Sequence, residues 1–359
     1  MFVAWRDLRF ARGRFALIGS VVALITLLVG FLAGLTGGLA SQNVSAVLGL
    51  PGDRLVLELP ADGQPSFADS SVGERTVDRW RETPGVTGVT PVGVTQGRAT
   101  GTGSGPVAVA LLGLPHDAPA GAVSDLAPAA DDEVGLSSGA ASDLGVTKGD
   151  DVTVGGTTYR VASVGGDVWY SHTPVVALSP KAWAAADRGL GGDGEATVLA
   201  VSGSPDWEAT ATATGTSAAT PLRSLTALET FRSEVGSLGL MIAMLFGVSA
   251  LVVGAFFTVW TMQRAGDIAV LKALGASTRS LVRDALGQAL VVLVVGIGVG
   301  LALVVGLGLL AGGALPFVLS PLTTVVPGLA MAALGLAGAA IALRTVTKAD
   351  PLTALGSNR

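Results

Sequence analysis

The 359-residue chain is half hydrophobic, only 14% charged and carries a net charge of −5, with a mean hydropathy of +0.61. That balance excludes a purely soluble enzyme, and the apolar residues fall in blocks rather than in the alternation of a β-barrel. With no cysteine, the chain has no disulfide framework, thiolate metal site, iron–sulfur cluster or cysteine nucleophile.

In chain order, residues 1–14 predict a short amphipathic segment at the cytoplasmic interface, with Phe2, Trp5, Leu8 and Arg9 on neighbouring positions. Residues 15–40 form a first span, longer than the roughly 7–15 apolar residues of a cleavable leader. An inserted domain at 41–234 follows, then spans at 235–262, 285–310 and 322–343. These spans are joined by a 263–284 connection and a 311–321 loop, and a tail occupies 344–359. Each apolar block is near the ~20 residues a helix needs to cross a bilayer. The predicted fold class is therefore membrane α-helical (four transmembrane helices) with an inserted α+β extracellular domain. Gly30, Gly34 and Gly38, with Gly296, Gly300, Gly306 and Gly308, predict close helix packing.

Charge predicts the orientation. Residues 41–237 hold 11 Lys/Arg against 23 Asp/Glu, a net of −12, while the rest holds 11 against 4, a net of +7. The positive residues cluster in the N-terminal segment, the 263–284 connection and the tail, which places both termini inside and the long insertion outside.

Within the insertion, strands are expected at Arg54–Leu59, Val86–Thr95, Val107–Leu112, Asp151–Val154, Thr158–Val164, Thr173–Leu178 and Thr197–Val201. The Gly155-Gly156 pair signals a hairpin, and short helices are expected at Thr76–Arg81, Ser137–Leu144 and Pro180–Ala186. The Ser/Thr/Ala-rich stretch from Gly203 to Ser224 reads as a flexible joint. His116 and His172 lack the carboxylate spacing of a metal site and read as surface or turn residues. Asp131-Asp132-Glu133 reads as a solvated loop before a strand. Gly135-Leu136-Ser137-Ser138-Gly139 matches a serine-nucleophile string, but its surroundings are not a parallel α/β sheet, so Ser137 reads as a helix N-cap.

The connection Gln263–Ser277 carries the strongest signal. Ile268, Leu271 and Leu274 share one face of a short helix, Gly275 supplies a stop, and Ser277 is placed to cap the next helix. The run from Arg264 through Asp267-Ile268, then Leu271-Lys272-Ala273-Leu274-Gly275-Ala276, resembles the signature of FtsX-like, MacB-type ABC transporter permeases. The ending Lys348-Ala349-Asp350-Pro351-Leu352-Thr353-Ala354-Leu355 resembles that family's tail, and Leu136 to Asp150 is similar to its ectodomain pattern. Gly266 departs from it, standing where the family commonly has a basic residue.

The resemblance implies a homodimer in the cell membrane, paired with two copies of a separate cytoplasmic ABC ATPase, surrounded by lipid and with no nucleic-acid partner. No Gly-x-x-x-x-Gly-Lys-Ser/Thr loop is present, so ATP-Mg would sit on the partner, and the chain is not expected to be an enzyme or to carry an intrinsic cofactor. Arg264, Asp267, Ile268, Leu271, Lys272, Leu274 and Gly275 would be the ATPase-coupling residues. The compact insertion and basic start look most like the HrtB-type haem-exporter permeases of Gram-positive bacteria, which makes haem the expected transported substrate. Glu229, Phe231, Arg232, Glu234, Met241 and Met244, at and beyond the outer end of the second span, are the candidate substrate residues. Export of a peptide, antibiotic or lipid of the MacB type, or mechanotransmission to an extracellular cell-wall hydrolase, are the alternatives.

Overall fold

The computed structural model describes residues 12–60, 63–103, 105–263, 266, 270, 275, 277–311 and 315–347. The N-terminal segment up to residue 11 and the tail from 348 lie outside these residues. The chain divides into two compact units, one formed by the helices (up to Gly38 and from Ser237) and one by Leu39–Gly236.

Four helices are long and apolar enough to cross a membrane. They are α1 (Arg12–Leu48), α7 (Glu229–Gln263), α8 (Thr278–Ala311) and α9 (Pro321–Thr347). Both α1 and α7 run further than their apolar blocks require: α1 continues to Leu48 and α7 begins at Glu229, within the inserted unit.

In the helical unit, α1 and α8 approach through residues four apart on each helix. Val22 and Thr26 meet Gly296 and Gly300, and Gly30 meets Val304. Matching rows at this spacing are ridges-into-grooves packing, with glycines as the grooves. A Cβ at Gly300 would stand 2.6 Å from the Thr26 Cβ and 2.7 Å from the Ala23 carbonyl oxygen. Further along, Phe317 packs on Gly34 and Gly308, Gly38 leaves room for the Pro316 backbone, and the Val318 amide donates to the Gly34 carbonyl at 3.1 Å. Gly306, counted above among the packing glycines, faces open space. At the start of α9, the Ser320 amide donates to Thr323 Oγ1 (3.0 Å) and the Thr323 amide to Ser320 Oγ (3.2 Å), a reciprocal cap.

The inserted unit holds ten strands: β1 (Arg54–Glu58), β2 (Val86–Gly101), β3 (Val107–Gly113), β4 (Glu133–Leu136), β5 (Asp151–Val154), β6 (Thr157–Val164), β7 (Trp169–Tyr170), β8 (Thr173–Leu178), β9 (Val198–Gly203) and β10 (Thr216–Ala219). Short helices α2 (Glu74–Glu82), α3 (Ser138–Leu144), α4 (Pro180–Gly189), α5 (Trp207–Thr214) and α6 (Pro221–Ser224) lie between them.

The long strand β2 organises the unit. Its first half pairs with β9 in an open sheet ordered β10-β1-β9-β2. Its second half pairs with β3 and, at Ala99–Gly101, with β5. Because β3, β8, β4, β6 and β5 follow in sequence of pairing, the second half closes a six-stranded barrel. Inside lie Val109, Leu111, Leu136, Val152, Val161, Val176 and Leu178, all essentially inaccessible. Gly93 and Gly113 are the platform on which the Trp183 ring rests.

Three elements depart from expectation. Asp131 and Asp132 form the turn expected before a strand, and the departure is only that Glu133, the last residue of the run, already opens that strand, β4, in parallel pairing with β6. Trp169–Tyr170 form a strand too short for a periodicity to show. The 203–224 stretch is no loose joint: Asp206 caps α5, Gly215 ends it at φ +64°, and β10 pairs with β1. Small polar residues there satisfy backbone groups locally, so their composition resembles a linker while their bonding does not. Ser137 caps α3 as expected, accepting the Ala140 amide at 3.2 Å and also the Val175 amide at 3.1 Å. The Gly155-Gly156 turn has φ of +57° and +85°, the geometry of a two-residue hairpin.

Gly300→Leu should lower the melting temperature in detergent, because overpacking a tight contact costs about 1–3 kcal/mol, whereas Gly306→Leu should leave it unchanged; fluorescence-detected melting of both variants reads the difference. Asp150 accepts from the Thr147 amide (2.7 Å) and hydroxyl (3.0 Å), which hold its carboxyl below the ordinary aspartate range. A depressed folded value stabilises the fold above the unfolded value and is lost as pH falls through the folded one. Asp150→Asn should therefore show a shallower loss of stability on acidification than the unmodified chain, measured by urea midpoints across the acid range.

Candidate functional site: a polar clamp at the start of the second long helix

The first turns of α7 carry four of the six candidate substrate residues, all within the inserted unit. Glu229 is exposed and borders a surface cavity of about 640 Å³, lined also by Phe67, Tyr170, Trp183 and Thr230. Asp69, Asp187, Asp193 and Glu195 also line this cavity, and no lysine or arginine does. Phe231 packs against the adjoining hydrophobic core, and Arg232 reaches Gln64 Oε1 at 3.3 Å. Met241 and Met244 belong to the helical unit and are more than half exposed.

Glu234 stands at the centre of a network that the sequence did not announce. Its Oε1 pairs with His172 Nε2 at 2.7 Å, and its Oε2 accepts from Asn43 Nδ2 at 3.0 Å. Asn43 is fully buried and its Oδ1 in turn accepts from the Thr230 hydroxyl at 2.9 Å, which lies 3.2 Å from Ser171 Oγ. Asn43 on α1, Thr230 and Glu234 on α7 and the β7–β8 turn therefore meet in one network.

The turn itself is unusual. Ser171 and His172 link β7 to β8 with φ of +46° and +64°, the only non-glycine residues at positive φ among those described. A two-residue hairpin of this type ordinarily takes Asn-Gly or Gly-Gly; left-handed backbone costs other residues roughly 1–2 kcal/mol each. Here the Ser171 amide donates to the Asn43 carbonyl (2.9 Å) and the His172 amide to the Gln42 carbonyl (3.0 Å), which fixes the tip on the outer end of α1. The side chains of His172 and Glu234 remain about one-third exposed, at 32% and 30%.

The expectation that His172 is a turn residue is met, but its partner could not be foreseen: Ser-His is no hairpin signal, and 62 residues separate it from Glu234. Asn43, an amide at the end of an apolar helix, was the one available hint. Ser137 bonds backbone amides and His172 bonds Glu234, so the structure does not bring these two together as a catalytic pair. Of the coupling residues, Arg264, Asp267, Ile268, Leu271, Lys272 and Leu274 lie outside the described residues. Gly275 takes φ +92°, and Ser277 Oγ accepts the Ser280 amide at 3.2 Å ahead of α8. Among the described residues no group of three or more His, Asp or Glu is arranged to hold a metal ion.

A family model described as FtsX-like permease C-terminal matches residues 239–351, the part containing the last three long helices. With the four apolar helices and the inserted domain, this match makes the chain similar to ABC transporter permeases of the FtsX-like type. Among particular relatives, the chain is 25% identical to a protein of Staphylococcus haemolyticus described as a hemin transport system permease protein HrtB, covering 99% of each chain. It is 22% identical to the protein of that description from Staphylococcus epidermidis, over the whole of both. It is also 28% identical to an uncharacterized ABC transporter permease of Mycobacterium bovis, covering 99% of each. Among solved structures, the periplasmic region of MacB from Actinobacillus actinomycetemcomitans matches with a TM-score of 0.35 and 11% identity, over 49% of this chain and 92% of that one.

Asn43→Ala would remove the partner of the Thr230 hydroxyl and of one Glu234 oxygen, a loss of about 1 kcal/mol for each hydrogen bond because both groups remain open to water. Hydrogen exchange at Ser171 and His172 should then quicken relative to the barrel strands; unchanged exchange there would mean that the clamp does not hold the turn.

Proposed function

We propose that this chain is the membrane subunit of an efflux pump in which a separate ATPase drives export of an amphipathic substrate, haem foremost, out of the membrane. The observation that carries the transport class is the permease match over residues 239–351. The observation that favours haem is full-length similarity to two hemin transport permeases. The mechanism needs no chemistry on the substrate: two permease copies clasp two ATPases, ATP-Mg binds on the ATPase subunits, and nucleotide-driven closure moves the long helices.

In this reading both termini are cytoplasmic. The 264–275 segment presents Ile268, Leu271 and Leu274 to the ATPase, with Arg264, Asp267 and Lys272 at the rim and Gly275 ending the element. Glu229, Phe231, Arg232, Glu234, Met241 and Met244 mark the outer part of α7 as the stretch that meets substrate. Arg232 is suited to a propionate, since guanidinium pairs planar carboxylates, and the methionines to an apolar ring. The acid-lined cavity beside Glu229 repels propionates and is not assigned to haem.

Affinity purification of the tagged chain from its native membrane should bring down an ATPase bearing a phosphate-binding loop, and Leu271→Asp should remove it. Haemin should raise ATP turnover of the purified complex severalfold. An intact complex indifferent to haemin would retain the permease and discard haem in favour of a peptide, a lipid or signalling to a hydrolase; a chain that captures no ATPase would overturn the permease reading itself.

A further inference from the structure

We infer that the cavity of about 640 Å³ in the inserted domain is a binding site for an organic cation, an ammonium group carried on an apolar body. The inference stands apart from the haem reading: of the α7 residues assigned above to substrate, only Glu229 lines this cavity.

Its wall carries one sign of charge. Asp69, Asp187, Asp193, Glu195 and Glu229 line it, and no lysine or arginine does. Asp187 is buried and accepts the Thr95 hydroxyl on Oδ1 (2.5 Å) and the Gly194 amide on Oδ2 (2.9 Å). Asp193 is held by the Ser71 hydroxyl (2.5 Å) and the Glu195 amide (2.8 Å), which keep its carboxyl below the ordinary aspartate range. These donors are neutral, so they orient the two carboxylates without cancelling their charge. The carboxylates of Asp69, Glu195 and Glu229 are exposed and take no hydrogen bond or ion pair among the described residues. Arg188, whose Nε donates to the Asp193 carbonyl at 3.1 Å, is not part of the lining. A concave wall of one sign focuses the field and concentrates the opposite charge within it.

A second, independent feature asks for a ligand. Tyr170 is only 7% exposed and lines the cavity, and its hydroxyl has no hydrogen-bond partner among the described residues. That hydroxyl is not sealed from solvent, and the surface it keeps opens on the cavity. Burial pushes the phenol pKa up, so the group stays a neutral hydroxyl that can accept an ammonium N–H. Buried polar groups are ordinarily paired, and one that is not stands ready for a partner from outside the chain. Phe67, edge-on to Tyr170 at 6.3 Å, and Trp183 add aromatic surface to the same wall.

Size and chemistry select the class. The volume falls in the range of small-molecule pockets, about 300–1,000 Å³, and exceeds what a bare ion fills. Among the described residues no three of His, Asp or Glu are arranged to hold a metal ion. Anions are repelled by this lining. An ammonium group donates hydrogen bonds to the carboxylates and to the Tyr170 hydroxyl, and aromatic faces attract its charge while covering its apolar body.

The test uses the full chain in nanodiscs of zwitterionic lipid and three probes built on one ring: naphthylmethylammonium, naphthylmethanol and naphthylacetate. Binding is read by equilibrium dialysis against empty nanodiscs. The cation should bind saturably and more weakly as salt is raised, the alcohol at least tenfold more weakly, and the carboxylate not at all. Asp69→Asn combined with Glu229→Gln, both exposed and nearly isosteric, should weaken the cation at least tenfold. Tyr170→Phe removes only the unpartnered hydroxyl and should weaken the cation severalfold without lowering the melting temperature. Haemin should not displace it. Equal binding of the three probes, cation binding that either variant leaves unmoved, displacement by haemin, or no saturable binding of the ammonium each overturns the inference. The permease reading stands in every one of these cases.

Discussion

Everything in this molecule follows from the requirement that backbone amides and carbonyls be paired wherever water is absent. In the bilayer only continuous helices meet it, which is why the apolar blocks form four long helices and why glycine, usually a poor helix former, is tolerated along them. There the cost of a missing side chain is offset by close backbone approach: Gly296, Gly300 and Gly30 are where α1 and α8 touch. Outside the bilayer the same requirement is met by β-pairing, and β2 meets it twice over its sixteen residues, once in an open sheet and once in a closed barrel.

The clamp at Glu234 shows how the helices that cross the membrane also become parts of the inserted domain. α1 contributes Gln42 and Asn43 and α7 contributes Thr230 and Glu234, both from turns that lie past the apolar blocks. A buried amide, a carboxylate and an imidazole are bonded in series there, which spares the fully buried Asn43 the cost of an unpaired burial. The hairpin tip accepts unfavourable backbone angles because two carbonyls at the end of α1 receive its amides. Local strain and tertiary bonding balance at one position, and that position is a functional candidate for a physical reason rather than by proximity to a motif.

Charge divides the chain in the same way. The carboxylates of the inserted domain are its solvated surface and several are tied locally: Asp131 to Ser179 and Lys181, Asp193 to Ser71. These bonds hold both carboxyls below the ordinary range. The acidic lining of the cavity beside Glu229 and the positively charged flanks of the spans therefore have different origins, one a property of a folded surface and the other of membrane topology.

Length and hydropathy determined the helices, because a twenty-residue apolar run has one stable arrangement in lipid. Turn chemistry determined the Gly155-Gly156 hairpin and the Ser137 cap, because those residues act on backbone groups within a few positions of themselves. The resemblance of 264–276 and the tail pointed to the FtsX-like permeases that the match over 239–351 also names. The sequence misjudged 203–224, whose small polar residues bond in place instead of moving freely, and it left β7 unseen, since two residues show no period. Only the tertiary structure decided that β2 closes a barrel, that Gly306 packs against nothing while Gly300 does, and that His172 meets Glu234. Each of those depends on contacts between residues far apart in the chain, where neither spacing nor composition carries information.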